Sequence, residues 1–189
     1  MKNTNEISVS ENICTENNYV KNNYTYTTTI TLEECRMIEQ RVKEEIQAHG
    51  KHMLDIPAEE LLYQSKKYWC CAVKDGEKFI WCIFLMAVEK WWITLYEYGS
   101  LFIDPAYRWQ GLGYILMENI ITTYTDLPIY SITNVPIVKK NNEKLHQHAY
   151  TKAMLSKEIL EILEMPAPLL DNDIIYFNDL LHTLLQTNA

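Results

Sequence analysis

The stretch Arg108-Trp109-Gln110-Gly111-Leu112-Gly113, RWQGLG, holds two of the five glycines in a chain of 189 residues. It follows an extended apolar run and precedes a helical pattern of apolar residues. A short turn from a strand into a helix leaves the first N–H groups of that helix without partners. These N–H groups and the helix dipole favour an anion such as a phosphate. The stretch therefore predicts an anion site, where Gly111 and Gly113 let a ligand approach the backbone closely.

Two common nucleotide-binding motifs do not fit this loop. The chain contains no G-x-x-x-x-G-K-[ST] sequence, which excludes a Walker loop. It also lacks G-x-G-x-x-G, because Leu116 stands where the third glycine belongs. The predicted anion site is therefore of another kind.

Apolar periodicity on both sides of the loop predicts the secondary structure. Thr31 and Glu34 resemble a capping box at a helix start, and Asp75-Gly76 is the strongest hairpin signal in the chain. A further turn is predicted at Glu89-Lys90. The predicted strands are Tyr24–Thr31, Tyr68–Lys74, Lys78–Val88, Trp91–Ile103 and Ile129–Asn134. The predicted helices are Leu32–Gly50, Pro57–Ser65, Leu112–Tyr124 and Pro136–Gln147, with mostly helical sequence after Met154.

This order of elements predicts an α/β fold. The strands Trp91–Ile103 and Ile129–Asn134 flank one helix, so they form a βαβ unit and should be parallel. The run Phe79–Val88 is almost wholly apolar, which indicates a strand covered on both faces. We expect a mixed, mostly antiparallel sheet with helices on both faces. The predicted domains are a mobile tail (1–24), the α/β domain (25–150) and a helical C-terminal extension packed on the core (151–189).

Composition narrows the class of protein. The net charge of -8 argues against nucleic-acid binding and is compatible with a cationic substrate. The five cysteines show no paired framework and no C-x-x-C, so reduced thiols and no metal site are expected. The N-terminus does not resemble a signal peptide, and the longest apolar run is too short to span a bilayer. We therefore expect a soluble, cytoplasmic protein that binds neither membrane nor nucleic acid.

The glycine loop resembles the acyl-CoA loop of the GNAT superfamily of N-acetyltransferases, whose signature is [QR]-x-x-G-x-[GA]. Here the signature reads Arg108-x-x-Gly111-x-Gly113. The preceding Ile103-Asp104-Pro105-x-Tyr107-Arg108 and the later Asn142-Glu143-Lys144-Leu145 are also typical of that family. The resemblance covers about Tyr24 to Tyr150 and implies a GNAT-like fold, acetyl-CoA as the donor and an amine as the acceptor.

The resemblance also implies a coenzyme A site. The strand before the loop splays from its parallel neighbour, and the pantetheine arm pairs with its backbone near Leu101, Phe102 and Ile103. One of these N–H groups would polarise the thioester carbonyl. Gly99 in the same strand suits a bulge or a close approach. The residues implied for the pyrophosphate are Arg108, Trp109, Gln110, Gly111, Leu112 and Gly113.

Glu97 is the candidate general base. An alkylamine has a pKa near 10.4, so only about one molecule in 10³ is neutral at pH 7 and a base must take its proton. Glu97 lies eleven residues before Arg108, the spacing at which histone-type members of the family carry their base. Period-two alternation places it on one face with Gly99 and Leu101. A strand-end carboxylate in a salt bridge is the alternative reading of Glu97.

One departure from the family concerns proton donation to the thiolate. Asn142 stands where many members carry a tyrosine, and an amide cannot act as an acid. His146 and Tyr150 are the candidate substitutes. His146 also occupies the position of the glycine at which the family leaves this helix. A catalytically weak acyl-CoA-binding sensor or interaction module is therefore the alternative function.

The acceptor is not identified by the sequence. By position, it would contact the two N-terminal helices and the segments near Lys51–Pro57 and Lys90–Trp92. A small-molecule amine and a peptide amine are both open, as are a monomer and a homodimer.

Overall fold

The sheet that carries the predicted site has seven strands among the residues that the computed structural model describes. These residues are 24–49, 55–90, 93–108, 110–164 and 168–187. The strands are β1 Tyr24–Thr27, β2 Trp69–Asp75, β3 Lys78–Lys90, β4 Ile93–Ile103, β5 Ile129–Thr133, β6 His148–Tyr150 and β7 Ile174–Phe177. The helices are α1 Leu32–His49, α2 Ala58–Lys67, α3 Leu112–Thr123, α4 Pro136–Lys144, α5 Lys157–Leu163 and α6 Asp179–Thr187.

The strands lie in the order β1-β2-β3-β4-β5-β7-β6. Every neighbouring pair is antiparallel except β4 and β5, which are parallel and are joined by α3. The predicted fold class, a mixed and mostly antiparallel sheet with a central βαβ unit, is confirmed. Residues 1–23 of the predicted tail (1–24) fall outside the described residues, and Tyr24 begins β1.

Alternation along β2 and β3 separates two apolar cores. Cys70 packs in the core beneath α1 and α2, whereas its neighbour Cys71 packs in the core beneath α3. Residues Ile80 to Met86 of β3 are all buried, so the apolar run is a strand covered on both faces as predicted. The described cysteines Cys35, Cys70, Cys71 and Cys82 are all buried.

Two local signals have the predicted geometry. The N–H of Glu34 donates to Oγ1 of Thr31 at 3.2 Å, and the N–H of Thr31 donates to Oε2 of Glu34 at 2.8 Å. This reciprocal pair is the capping box at the start of α1. In the β2–β3 hairpin, Gly76 has φ 59° between the paired residues Asp75 and Lys78. A positive φ at this position explains the glycine.

The predicted turn at Glu89-Lys90 is wrong. Both residues continue β3, because they pair with Thr94 and Ile93 of β4. Glu89 is exposed at the end of the strand, where a charged side chain stays in water without breaking the ladder. The connection itself, residues 91 and 92, lies outside the described residues.

The segment after Met154, predicted to be mostly helical, also contains a strand. Ile174–Phe177 forms β7, which lies between β5 and β6 and therefore belongs to the same sheet. The segment directly after α4 contributes the short strand β6. A third core joins α5 and α6 to β5 and β7. The physical reason is that β5 has an edge that needs a hydrogen-bonding partner, and the apolar β-branched and aromatic run of β7 supplies it.

The end of α4 is a Schellman motif built on a histidine. The N–H of Gln147 donates to the carbonyl of Asn142, and the N–H of His146 donates to the carbonyl of Glu143, both at 3.1 Å. His146 has φ 56°, in the left-handed region that normally favours glycine. The chain therefore makes the glycine-type turn without the glycine, and His146 is strained.

Replacing His146 with glycine is expected to stabilise the protein. The variant His146→Gly relieves about 1 kcal/mol of left-handed strain, partly offset by the greater entropy of glycine in the unfolded chain. The free energy of unfolding, measured by urea denaturation, should rise by roughly 0.5 kcal/mol. Lys140→Gly, at an exposed position inside α4, is the control and should lower it by about 1 kcal/mol. Equal losses for both variants would contradict the strain at His146.

Candidate functional site

The parallel strands β4 and β5 separate soon after they meet. The register pairs only Tyr96 with Ile129 and Glu97 with Tyr130 among the described residues. β4 continues to Ile103, and β5 turns its other edge to β7. The strands thus leave an opening beside the C-terminal half of β4, as the family resemblance predicts.

A bulge in β4 lies along this opening. Cys82 pairs with Phe102 and Phe84 pairs with Gly99, so residues 100 and 101 together oppose one residue of β3. The side chains of residues 100–102 are outside the described part. Ile103 packs in the core beneath α3, although strict alternation would place it on the face of Glu97. The bulge therefore reverses the alternation predicted to extend beyond Gly99.

Gly99 brings the backbone close to the candidate base. A Cβ at this position would lie 3.4 Å from Oε1 of Glu97 and 3.4 Å from Cε of Met86. Glu97 and Gly99 thus share a face, as predicted. The absence of a side chain at Gly99 leaves space directly beside the carboxylate.

The glycine loop ends in the helix start that its sequence predicts. Gly111 precedes α3 with φ 79°, and α3 has neither a side-chain cap nor an acidic residue in its first turn. No heavy atom lies within 4 Å of the place a Cβ at Gly111 would take, so backbone conformation rather than space requires glycine there. Leu112 and Gly113 are buried in the first turn. Trp109 lies outside the described residues.

Hydrogen bonds of Asp104 and Tyr107 fix the residues that directly precede the glycine loop. Oδ1 of Asp104 accepts a hydrogen bond from the N–H of Ala106 at 2.9 Å, and Pro105 begins a single 3-10 turn. The hydroxyl of Tyr107 donates to Oδ2 of Asp75 at 2.9 Å. These contacts tie the loop to the β2–β3 hairpin.

The side chains of Arg108 and Gln110 in the glycine loop both form polar contacts within the protein. Arg108 forms an ion pair with Glu45 of α1, and its Nε donates to the carbonyl of Ile103 at 3.3 Å. Gln110 is exposed, and its side-chain oxygen accepts a hydrogen bond from Tyr24 at 2.8 Å. The positive charge of Arg108 is therefore partly neutralised by Glu45 of α1 and does not act on the start of α3 alone.

Glu97 is a buried carboxyl group in β4. It is 7% exposed, and its Oε2 accepts a hydrogen bond from the hydroxyl of Tyr130 at 3.3 Å. Burial raises the pKa of Glu97 from 4.5 to about 7, and the hydrogen bond from Tyr130 opposes this rise. Among the described residues Glu97 has no ion pair, so it is not the strand-end salt bridge of the alternative reading. Near neutral pH such a group can both take and release a proton.

A cavity of about 210 Å³ lies beside Glu97, on the face covered by α2. Asp55 and Ile56 precede α2, and this stretch belongs to the segment that the sequence predicted to read the acceptor. The cavity is lined by Asp55, Ile56, Glu60, Gln64, Met86, Ala87, Val88 and Glu97.

A buried polar cluster lies on the other face of the sheet. Asn142 is fully buried, and its Oδ1 accepts hydrogen bonds from the hydroxyls of Tyr98 and Ser131, the latter at 3.4 Å. Its Nδ2 donates to the carbonyl of Val138 at 3.1 Å. Tyr98 and Ser131 follow the last paired residues of β4 and β5, so the cluster ties α4 to both strands where they separate. Burial raises the pKa of Tyr98 above its usual range.

The two candidate proton donors lie elsewhere on the surface of α4 and β6. His146 is exposed at the C-terminal turn of α4. Tyr150 is half-buried, and its hydroxyl shares a hydrogen bond with Nδ1 of His182 at 2.5 Å. Their role in proton transfer stays a prediction. Sequence reasoning missed Tyr98, Ser131 and Gln64, because no motif marks them.

The protein has the fold of the GNAT acetyltransferases, and the predicted resemblance is confirmed at this level. A GNAT-family acetyltransferase from Bacillus cereus is 14% identical, with a TM-score of 0.51 over 82% of this chain and 96% of that chain. A putative acetyltransferase from Salmonella typhimurium, solved with acetyl-CoA, is 11% identical, with a TM-score of 0.56 over 82% of this chain and 92% of that chain.

A longer enzyme shares the fold over part of its length. N-acetylglutamate synthase from Neisseria gonorrhoeae, complexed with coenzyme A and N-acetyl-glutamate, is 11% identical, with a TM-score of 0.61. The match covers 82% of this chain and 34% of the synthase. Neither a family model nor a curated protein matches the sequence.

Within the described ranges, no helix is long and apolar enough to cross a membrane. The His, Cys, Asp and Glu side chains in those ranges form no group of three that could hold a metal ion.

Glu97→Gln is expected to stabilise the protein in a pH-dependent way. Because the pKa of Glu97 rises from 4.5 to about 7 on folding, its contribution to stability is present below pH 4.5 and is lost as pH rises through 7. The variant should be more stable than the wild type by roughly 3 kcal/mol at pH 8, and the difference should largely vanish at pH 5. Urea denaturation at the two pH values measures this.

Glu34→Gln is the matched control. Burial acts to raise the pKa of Glu34, but hydrogen bonds from Lys74 and Thr31 lower it overall. This variant should therefore be less stable than the wild type at pH 8. A loss of stability at pH 8 for Glu97→Gln as well would contradict the elevated pKa of Glu97.

Proposed function

We propose that the protein is an N-acetyltransferase that moves an acetyl group from acetyl-CoA to a primary amine of a small molecule or peptide. The observation that carries the proposal is the position of Glu97. This buried carboxyl group lies at the last paired residue of β4 and β5, beside the opening between the strands and beside the cavity under α2.

The donor would occupy the opening and the glycine loop. The backbone of Leu101, Phe102 and Ile103 would pair with the pantetheine arm. The pyrophosphate would bind at Arg108–Gly113, where α3 begins without a side-chain cap. The Salmonella typhimurium neighbour was solved with acetyl-CoA, which supports this choice of donor.

Glu97 would act as the general base. Its carboxylate takes a proton from the ammonium group, and the neutral amine attacks the thioester carbonyl carbon. A C–N bond forms and the C–S bond breaks, while a backbone N–H near Phe102 or Ile103 stabilises the oxyanion. Relative to the ammonium form, the amide nitrogen loses two protons. One goes through Glu97 to solvent and the other ends on sulfur.

Asn142 cannot donate the proton that the thiolate sulfur takes up, because an amide is not an acid. In this proposal, His146 supplies the proton to the sulfur. A thiol with a pKa near 8.5 also leaves as the anion and takes its proton from water.

The second candidate function is a catalytically weak module that binds acyl-CoA as a sensor or partner domain. The burial of Asn142 and its hydrogen bonds to Tyr98 and Ser131 favour it, because this position holds an amide already engaged in structure. Incubation with acetyl-CoA and a panel of amines separates the two functions. Release of free thiol supports the transferase, and binding of coenzyme A without thiol release with any amine supports the module.

Gly111→Glu is expected to abolish coenzyme A binding. The substitution places a carboxylate at the helix start and forces a side chain into a left-handed conformation. Gly76→Glu is the matched control, because Gly76 also has a positive φ and an open Cβ position. Calorimetry should show at least about 10²-fold weaker binding for Gly111→Glu and for Gly113→Glu, and unchanged binding for Gly76→Glu. Wild-type affinity in Gly111→Glu would sink the loop assignment.

Glu97→Gln is expected to lower kcat/KM for the amine by about 10² or more at pH 8. In the wild type, kcat/KM should fall as pH drops through about 7, because Glu97 becomes protonated. The variant should lack this inflection, which a series of thiol-release rates from pH 6 to pH 9 would resolve. An unchanged pH profile would remove Glu97 from the mechanism.

A further inference from the structure

Among the described residues, the cavity beside Glu97 is lined by three carboxyl groups and by no cationic side chain. Asp55 and Glu60 are exposed at its rim, whereas Glu97 is buried. Lys43 of α1 interacts electrostatically with Asp55, but its ion pair is with Glu39, at 2.5 Å. The electrostatic potential of the cavity therefore favours a cation.

One buried oxygen atom at the cavity has no hydrogen-bond donor among the described residues. The side-chain nitrogen of Gln64 donates to Glu60, which fixes the orientation of the amide and leaves its Oε1 buried and unpaired. Glu97 accepts the hydrogen bond from Tyr130 at Oε2, and its Oε1 lies on the side of Gly99. Buried acceptors without partners are costly, which points to a ligand that brings N–H donors.

The rest of the wall is apolar. Ile56, Met86, Ala87 and Val88 line the cavity between the carboxylates. With about 30 Å³ for each water-sized group, a cavity of about 210 Å³ accepts on the order of seven non-hydrogen atoms. Such a cavity fits a short alkyl chain with a cationic end.

We infer that the acceptor is an alkylamine without a carboxylate, whose alkyl chain lies against Ile56 and Met86 and whose cationic groups meet Glu97 and Glu60. This inference rests on the proposed acetyl transfer. The amine at Glu97 forms the C–N bond with the acetyl carbon as the C–S bond breaks, and the second cation stays at Glu60. An acceptor with its own carboxylate is disfavoured, because it would bring a like charge among three carboxylates.

One protein of similar fold was solved with ligands that carry a carboxylate. The Neisseria gonorrhoeae synthase was solved with N-acetyl-glutamate and with L-arginine, both of which carry a carboxylate. The described lining of the present cavity contains no cationic side chain to pair with such a group.

Amines compared with their parent amino acids test the inference. Cadaverine and lysine differ only in the carboxylate, as do agmatine and arginine. Calorimetry in the presence of coenzyme A gives binding, and thiol release from acetyl-CoA gives turnover. We expect cadaverine to bind at least about 10²-fold more tightly than lysine, with a similar ratio of kcat/KM.

Charge reversals at the neighbouring residues Glu59 and Glu60 test whether the preference for cadaverine over lysine depends on the cavity. Glu60→Lys should reduce the cadaverine-to-lysine ratio by about tenfold or more. Glu59→Lys changes the net charge equally, but Glu59 lies outside the cavity and pairs with Arg36 on the surface. It should leave the ratio unchanged.

The outcomes separate the inference from the proposed function. Preferential binding of cadaverine with thiol release supports both. Preferential binding of cadaverine without thiol release supports the cavity assignment and overturns acetyl transfer. Lysine binding as tightly as cadaverine, no cadaverine binding at millimolar concentration, or equal effects of Glu59→Lys and Glu60→Lys would each overturn the inference, whether or not other amines are acetylated.

Discussion

The short pairing of β4 with β5 is the constraint on which the rest of the structure depends. Two parallel strands that stay together satisfy each other's backbone groups, whereas these two pair at only two positions. β5 can leave because β7 pairs with its other edge, and β4 turns at the bulge opposite β3. The separation exposes backbone groups of β4 that need another partner, and it places the start of α3 at one end of the opening.

Glu97 lies where this separation begins, and it is an unfavourable residue for stability. A buried carboxyl group with one phenolic hydrogen bond and no described ion pair loses hydration that it does not recover. Gly99 lies beside Oε1 of Glu97, and Gln64 of the same cavity has a buried amide oxygen without a described partner. Several groups that cost stability at one place are typical of a functional site rather than of a core.

The two faces of the sheet carry different parts of the site. Glu97 and the cavity lie beneath α2, whereas Asn142, Tyr98 and Ser131 lie beneath α4. The polar groups of the Asn142 side chain are satisfied within the fold, because Oδ1 accepts from Tyr98 and Ser131 and Nδ2 donates to the carbonyl of Val138. At His146, the Schellman turn that ends α4 forms with φ 56° although the residue is not glycine.

Local sequence determined the capping box of α1, the β2–β3 hairpin, the helix start at Gly111 and the burial of β3 on both faces. Each of these depends on side chains or glycines within a few residues, and the fold and the loop were therefore predictable. Only the tertiary structure decided that 174–177 joins the sheet as β7, since that choice depends on the free edge of β5. It likewise brought Gln64 and Glu60 of α2 to Glu97 of β4, because contacts between residues far apart in sequence leave no periodic signal. The sequence by itself pointed to the glycine loop as an anion site, whereas the charge of the cavity beside Glu97 came from packing between distant elements.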